Sequence, residues 1–177
     1  YWNDFGVNNG SNDMVFTTWA TNGGGQGVTV NPFPTSLDFI GLQGIRTGVN
    51  SNGGSQIRTD VNFGRFMIVG GGKYQFTSRV YIRQLSDATD RFNVIIGNSS
   101  GANSTITSGY AFVYDEGGVG TGPLVSPNWQ IITAHGGVRS VFDTGVIVSA
   151  TTFYSFRIDV NTDSTSVDYY INDVLVR

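Results

Sequence analysis

Cysteine is absent from the 177 residues, which excludes disulfides, thiolate metal sites and cysteine nucleophiles together. Lysine occurs once, at Lys73, and glutamate once, at Glu116. A chain so poor in straight-chain helix formers has little to place on helix surfaces, so low helix content follows. The single histidine, His135, excludes a histidine-cluster metal site and leaves any Ser-His-Asp triad dependent on one residue. Charged side chains make up 13% of the chain and sum to −3, whereas phosphate-backbone binding needs a basic stripe; this argues against nucleic acid as a partner. The longest apolar runs, such as 66–69 and 94–96, fall far short of the ~20 residues of a membrane-spanning helix, so membrane insertion is not expected. The chain opens at Tyr1 without a methionine or a charged-then-apolar leader, and reads as a processed or excised piece of something longer.

What is present is glycine, 25 residues of it, with abundant Asn, Ser and Thr, giving a neutral polar surface of short hydrogen-bonding side chains. Segments of period-two alternation, rich in β-branched and aromatic residues, recur between Gly/Asn/Ser clusters. They predict strands near 13–19, 28–30, 39–45, 55–61, 66–69, 73–83, 92–97, 109–114, 129–135, 138–144, 153–160 and 166–171 with 174–176. That many strands exceeds a single flat sheet and points to an all-β, two-layer antiparallel sandwich, here one domain over 1–177. The clearest unit is 153–176: Phe156, Ile158 and Val160 point one way, Arg157 and Asp159 the other, and Val167, Tyr169 and Ile171 share a face after the turn at 161–164. Asn172-Asp173, a pair that tolerates positive φ, then turns the chain into Val174-Leu175-Val176. The glycine clusters at 23–25, 70–72 and 117–118 lack a following amphipathic helix or a Gly-Lys-Ser/Thr ending, and read as turns rather than phosphate cradles.

Several blocks carry a likeness to a known family. Trp2-Asn3-Asp4-Phe5 with Trp19, GLQGIRTG at 41–48, the Arg-containing strand and Leu-Ser-x-x-x-Asp bend within 71–97, and GYAFVYD at 109–115 are four of them. Asn128-Trp129, Asp143-Thr144-Gly145-Val146 and YINDVLV at 170–176 complete the series. Together they resemble the concanavalin A-like lectin/glucanase (laminin-G-like) jelly roll, in the version carried by tail-fibre and other virion proteins of bacteriophages and marine viruses. Two departures stand out: Asp173 occupies a position where that family has glycine, and the family pattern continues with one more strand where this chain stops at Arg177. The resemblance implies a jelly-roll domain lacking its final strand.

Glycosidases on that fold flank the bond with two carboxylates, typically from Glu-x-Asp-x-x-Glu, which a chain with one glutamate cannot form. The pairs Asp87/Asp90 and Asp159/Asp168 are the nearest substitutes, and turn capping explains the first better. Asp159, Asn161, Asp163 and Asp168 match no calcium-loop spacing, so turn and edge roles are expected of them. Carbohydrate recognition needs an aromatic face for sugar C–H groups and Asn, Asp or Arg for hydroxyls. Strand parity puts Arg79, Tyr81 and Arg83 on one face of their strand, opposite Val80 and Ile82, and Trp129 on the same face of its strand as His135. A shallow polar-aromatic groove built from these five makes them, with Arg139, the candidate carbohydrate-binding residues, against a core role for Trp129 and a hairpin role for His135. The expected function is a non-enzymatic structural and adhesion domain of a tail fibre, head fibre or capsid decoration protein, without cofactor or metal. By family analogy it is homotrimeric, contacts other virion proteins and lies on the virion surface, where host or environmental glycans are its ligands. The alternatives are an extracellular carbohydrate-binding module of a polysaccharide-degrading enzyme, and an atypical polysaccharide lyase or glycosidase.

Overall fold

A computed structural model describes residues 15–21, 27–30, 43–46, 52–58, 72–89, 91–99, 106–117 and 125–177. The strand expected at 66–69, the block at 2–5 and Asp90 lie outside them. Contacts gather the chain into two compact units, Tyr1–Met67 and Ile68–Arg177. In the first, β1 (Val15–Thr21) pairs antiparallel with β4 (Asn52–Arg58), and β2 (Gly27–Val30) with β3 (Gln43–Arg46).

The second unit holds two four-stranded antiparallel sheets packed as a sandwich. One runs β12 (Val174–Leu175), β11 (Val167–Ile171), β10 (Thr152–Val160), β5 (Tyr74–Ile82). The other runs β6 (Val94–Ser99), β7 (Gly109–Asp115), β8 (Ser126–His135), β9 (Val138–Ile147). Alternation decides which side chains meet between the layers. β10 buries Tyr154, Phe156, Ile158 and Val160 and turns Ser155, Arg157 and Asp159 outward, the division its sequence predicts. From the facing sheet come Tyr110, Phe112, Tyr114, Trp129 and Ile131.

The core is largely aromatic. Trp129 is fully enclosed, with ring centroids of Phe156, Tyr154 and Tyr114 at 4.7, 5.5 and 5.8 Å; Phe112 meets Phe156 at 4.7 Å and Tyr169 edge-on at 5.4 Å. Tilted and edge-on rings at such separations contribute about 0.5–1.5 kcal/mol per pair beyond the area they bury. β7 is covered on both sides. Its outward Ala111 and Val113 pack with Ile132 and with Ile106, which lies fully buried ahead of the strand.

Local chemistry sets the turns. Gly136 and Gly137, at φ +57° and +86°, join β8 to β9, and Asn172 and Asp173, at +50° and +64°, join β11 to β12. Both are two-residue links with two positive φ values, the hairpin geometry that matches strand twist. β9 runs three residues past the expected end. Asp143 explains this: its Oδ1 accepts the Gly145 N–H at 2.7 Å and the Asn128 amide at 2.9 Å, so a register shift is absorbed and pairing resumes at Ile147. These donors, the Gly145 N–H foremost, hold the Asp143 carboxyl below its usual pKa.

The bend after β5 is fastened to the end of β7 by one buried serine. Ser86 Oγ accepts the Phe92 N–H at 2.9 Å and the Gly117 N–H at 3.1 Å, while the Ser86 N–H donates to Tyr114 Oη at 3.1 Å. Tyr114 Oη in turn donates to Glu116 at 2.7 Å. A Cβ on Gly117 would stand 2.4 Å from Ser86 Oγ and 2.8 Å from the Asp87 carbonyl oxygen, so this junction requires glycine. Asp87 Oδ1 accepts the Thr89 N–H at 2.7 Å, the turn-closing role expected of it.

Candidate functional site

The outward face of β5 and β10 gathers the chemistry most suited to a ligand. Pairing sets Tyr81 opposite Phe153, Arg79 opposite Ser155, Thr77 opposite Arg157 and Gln75 opposite Asp159. The Tyr81 and Phe153 rings lie 4.7 Å apart, and the Arg79 guanidinium carbon lies 4.6 Å from the Phe153 centroid. Tyr81 remains 40% exposed, so a ring face is open to solvent although both hydrophobic layers are already filled. Arg83 follows, exposed, just past the end of β5.

Farther along the face the contacts are internally matched. Arg157 sits 3.7 Å from the Tyr170 ring centroid, with Nε 3.3 Å from Asp159 Oδ2 and Nη1 3.7 Å from Asp173. The Nε approach is close enough for charge attraction but off the line of a hydrogen bond. Asp159 Oδ1 also accepts from the Gln75 amide at 2.8 Å. Asp159 and Asp168, the carboxylate pair singled out from sequence, stand directly opposite each other in the β10–β11 ladder. Asn161 and Asp163 close the intervening turn: Asn161 Oδ1 accepts the Ser166 N–H at 3.0 Å, and Asp163 Oδ1 accepts the Thr165 hydroxyl at 2.8 Å. The Asp163 carboxyl is held below its usual pKa chiefly by that hydroxyl.

The six candidate residues therefore separate. Arg79 and Tyr81 lie on β5 in one sheet, with Arg83 just past its end. Trp129, His135 and Arg139 belong to the other, on β8 and β9. Trp129 is enclosed by Tyr114, Tyr154 and Phe156 and presents no ring face to a surface, so a groove shared by all six is not formed. His135 is exposed at the β8–β9 hairpin, paired with Val138, and Arg139 pairs with Ala134. Sequence reasoning missed Phe153 and Ser155. Only the cross-strand register brings them to Tyr81 and Arg79, and register between strands some seventy residues apart leaves no local signal.

Among the described residues no group of three or more His, Cys, Asp or Glu side chains is placed to hold a metal ion. No family model, curated protein or solved structure matches the chain.

Proposed function

We propose that this chain is a non-enzymatic adhesion and building domain of a virion surface, from a tail fibre, head fibre or capsid decoration protein. On this reading its sandwich is a jelly roll of the concanavalin A-like kind, and the outward face of β5 and β10 binds surface glycans. The single observation that carries the glycan reading is the open Tyr81–Phe153–Arg79 group. A sugar ring offers C–H groups to an aromatic face and hydroxyls to a guanidinium, a seryl hydroxyl and a phenol, and that face supplies all four partners within one patch. The described carboxylates of Asp87, Asp143, Asp159 and Asp163 hold turns, a bulge or a neighbouring side chain, which supports a scaffold rather than a pair of acids poised over a bond.

The virion placement rests on the sequence resemblance, together with a sparsely charged, cysteine-free, glycine-rich composition suited to an extracellular particle. Copies of the chain assemble, as trimers by analogy, and no cofactor takes part. A glycan array probed with the wild type and with Tyr81→Ala tests the binding reading: signal on the wild type that falls at least tenfold in the variant supports it. An array without signal sinks the glycan reading and leaves the building role, which light scattering of the purified chain tests by its mass in solution.

A further inference from the structure

We infer that the glycan taken by the β5–β10 face is acidic, its carboxylate held by Arg79 and its ring laid on Tyr81, with Arg83 past Tyr81 adding positive charge at that end of the face. This rests on the glycan reading above and narrows it. The argument begins with how the two arginines of this face differ. Arg157 is matched, between Asp159, Asp173 and the Tyr170 ring. Arg79 is held over Phe153 and has no ion pair among the described residues. A guanidinium is a planar fork of donors suited to carboxylate, and one positioned by an aromatic ring rather than by an acid keeps its charge available.

Charge is also sorted along the face. The Tyr81 end carries Arg79, Phe153 and Ser155 with Arg83 following, and no acid among them, whereas Asp159 and Asp168 lie at the Gln75 end. Arg79 and Gln75 are four residues apart on β5, about 13 Å at the strand rise. That exceeds the screening length of about 10 Å at 0.1 M salt. Asp173, nearer by register, is turned to Arg157 at 3.7 Å, and Asp87 beyond Arg83 closes its own bend. A chain of net charge −3 thus presents a locally cationic, aromatic strip, complementary to a sugar that carries a carboxylate.

Two sources share that chemistry, hexuronates and sialates, and the test separates them. Calorimetric titration of the chain with oligogalacturonate, its methyl ester, sialyllactose and lactose compares each acid with a neutral counterpart. The expected result is binding of at least one acid tenfold or more above its neutral partner, weakening as sodium chloride is raised. Arg79→Gln should remove that preference while leaving the melting temperature unchanged, because the side chain is exposed. Tyr81→Ala should weaken acid and neutral sugars alike. Equal binding of acid and neutral forms, lost in Tyr81→Ala, overturns the acidic assignment and leaves the glycan reading standing. Absence of binding to all four sugars by the folded wild type overturns the acidic assignment, and the glycan reading then depends on the array alone. An acid preference that survives Arg79→Gln overturns the role given to Arg79.

Discussion

Replacing Ser86 with alanine removes one oxygen and leaves two backbone donors without their partner. Ser86 is 1% exposed, and its Oγ is the acceptor for both the Phe92 and Gly117 N–H groups, at 2.9 and 3.1 Å. A buried donor left unsatisfied costs about 1–3 kcal/mol. Both amides are only partly buried, which puts each near the lower end, so the pair should cost about 2–3 kcal/mol. For a chain of this length about 1 kcal/mol corresponds to roughly 2–4 °C, giving a drop of about 5–10 °C in melting temperature. Urea denaturation measures the free energy, and hydrogen exchange supplies the local readout. The Phe92 and Gly117 amides should lose protection by tenfold or more, ahead of amides in β10. Asp87→Ala is the comparison, since it breaks an exposed turn contact and should cost less than about 1 kcal/mol. A Ser86→Ala protein within about 0.5 kcal/mol of wild type, or one with both amides still protected, would refute the claim that this hydroxyl fastens the bend to β7.

Three further expectations test other parts of the fold. Thr151 is β-branched yet sits at φ +56°, so Thr151→Asn, which tolerates that region, should stabilise the protein by about 0.5–1 kcal/mol in thermal melts. Gly136→Ala meets no atom within 4 Å, so its cost is backbone conformation alone, about 1 kcal/mol by the same measurement. Burial pushes the Tyr74 phenol up to about 12 and raises those of Tyr114 and Tyr169 as well; the Glu116 hydrogen bond adds to the rise at Tyr114, and the Arg177 charge opposes it at Tyr169. A phenol whose folded pKa is raised contributes stability that is fully present below its unfolded value near 10 and is lost as pH rises through the folded pKa. Stability should therefore fall between pH 10 and 12, by up to about 1.4 kcal/mol per pH unit for each tyrosine. Tyr169→Phe should be near neutral at pH 7, because that hydroxyl has no hydrogen-bond partner among the described residues, and should flatten the alkaline fall; an unchanged slope would refute the assignment.

How much of this was legible beforehand follows from how far each feature reaches along the chain. The inward set Phe156, Ile158, Val160, Tyr169 and Ile171 was readable because alternation is a property of single strands. The Asn172-Asp173 turn was readable because its two residues carry the φ preference themselves. β7 was readable as a strand near 109–114, but not as one covered on both faces, since GYAFVYD is buried on both sides and so loses its alternation; its outer cover, Ile106, comes from a segment with no strand signal. The continuation of β9 past Gly145 was hidden for a different reason. Asp143-Thr144-Gly145 has turn composition, and only the hydrogen bonds from Asn128 and Gly145 show that the residues form a bulge within a strand. For the site, parity put Arg79 and Tyr81 on one face of their strand, which the structure turns outward, but their partners on β10 depended on long-range register.

The aromatics of β10 make the case that the outward face is built for something besides stability. Tyr154 and Phe156 point inward and meet Trp129 edge-on, where each ring displaces water from the core. Phe153 lies on the opposite side of the same strand, where alternation would favour a polar residue and where burying a ring gains little. What Phe153 does there is hold Arg79 at 4.6 Å and flank Tyr81 at 4.7 Å, fixing a guanidinium and a phenol that would otherwise sample many rotamers. Immobilising two such side chains before a ligand arrives lowers the entropy lost on binding, by about 0.5–1.5 kcal/mol for each rotamer-rich side chain. Phe153→Ser should therefore leave thermal stability within about 1 kcal/mol of wild type while weakening glycan binding about tenfold. Loss of stability without loss of binding would instead assign the ring to the fold.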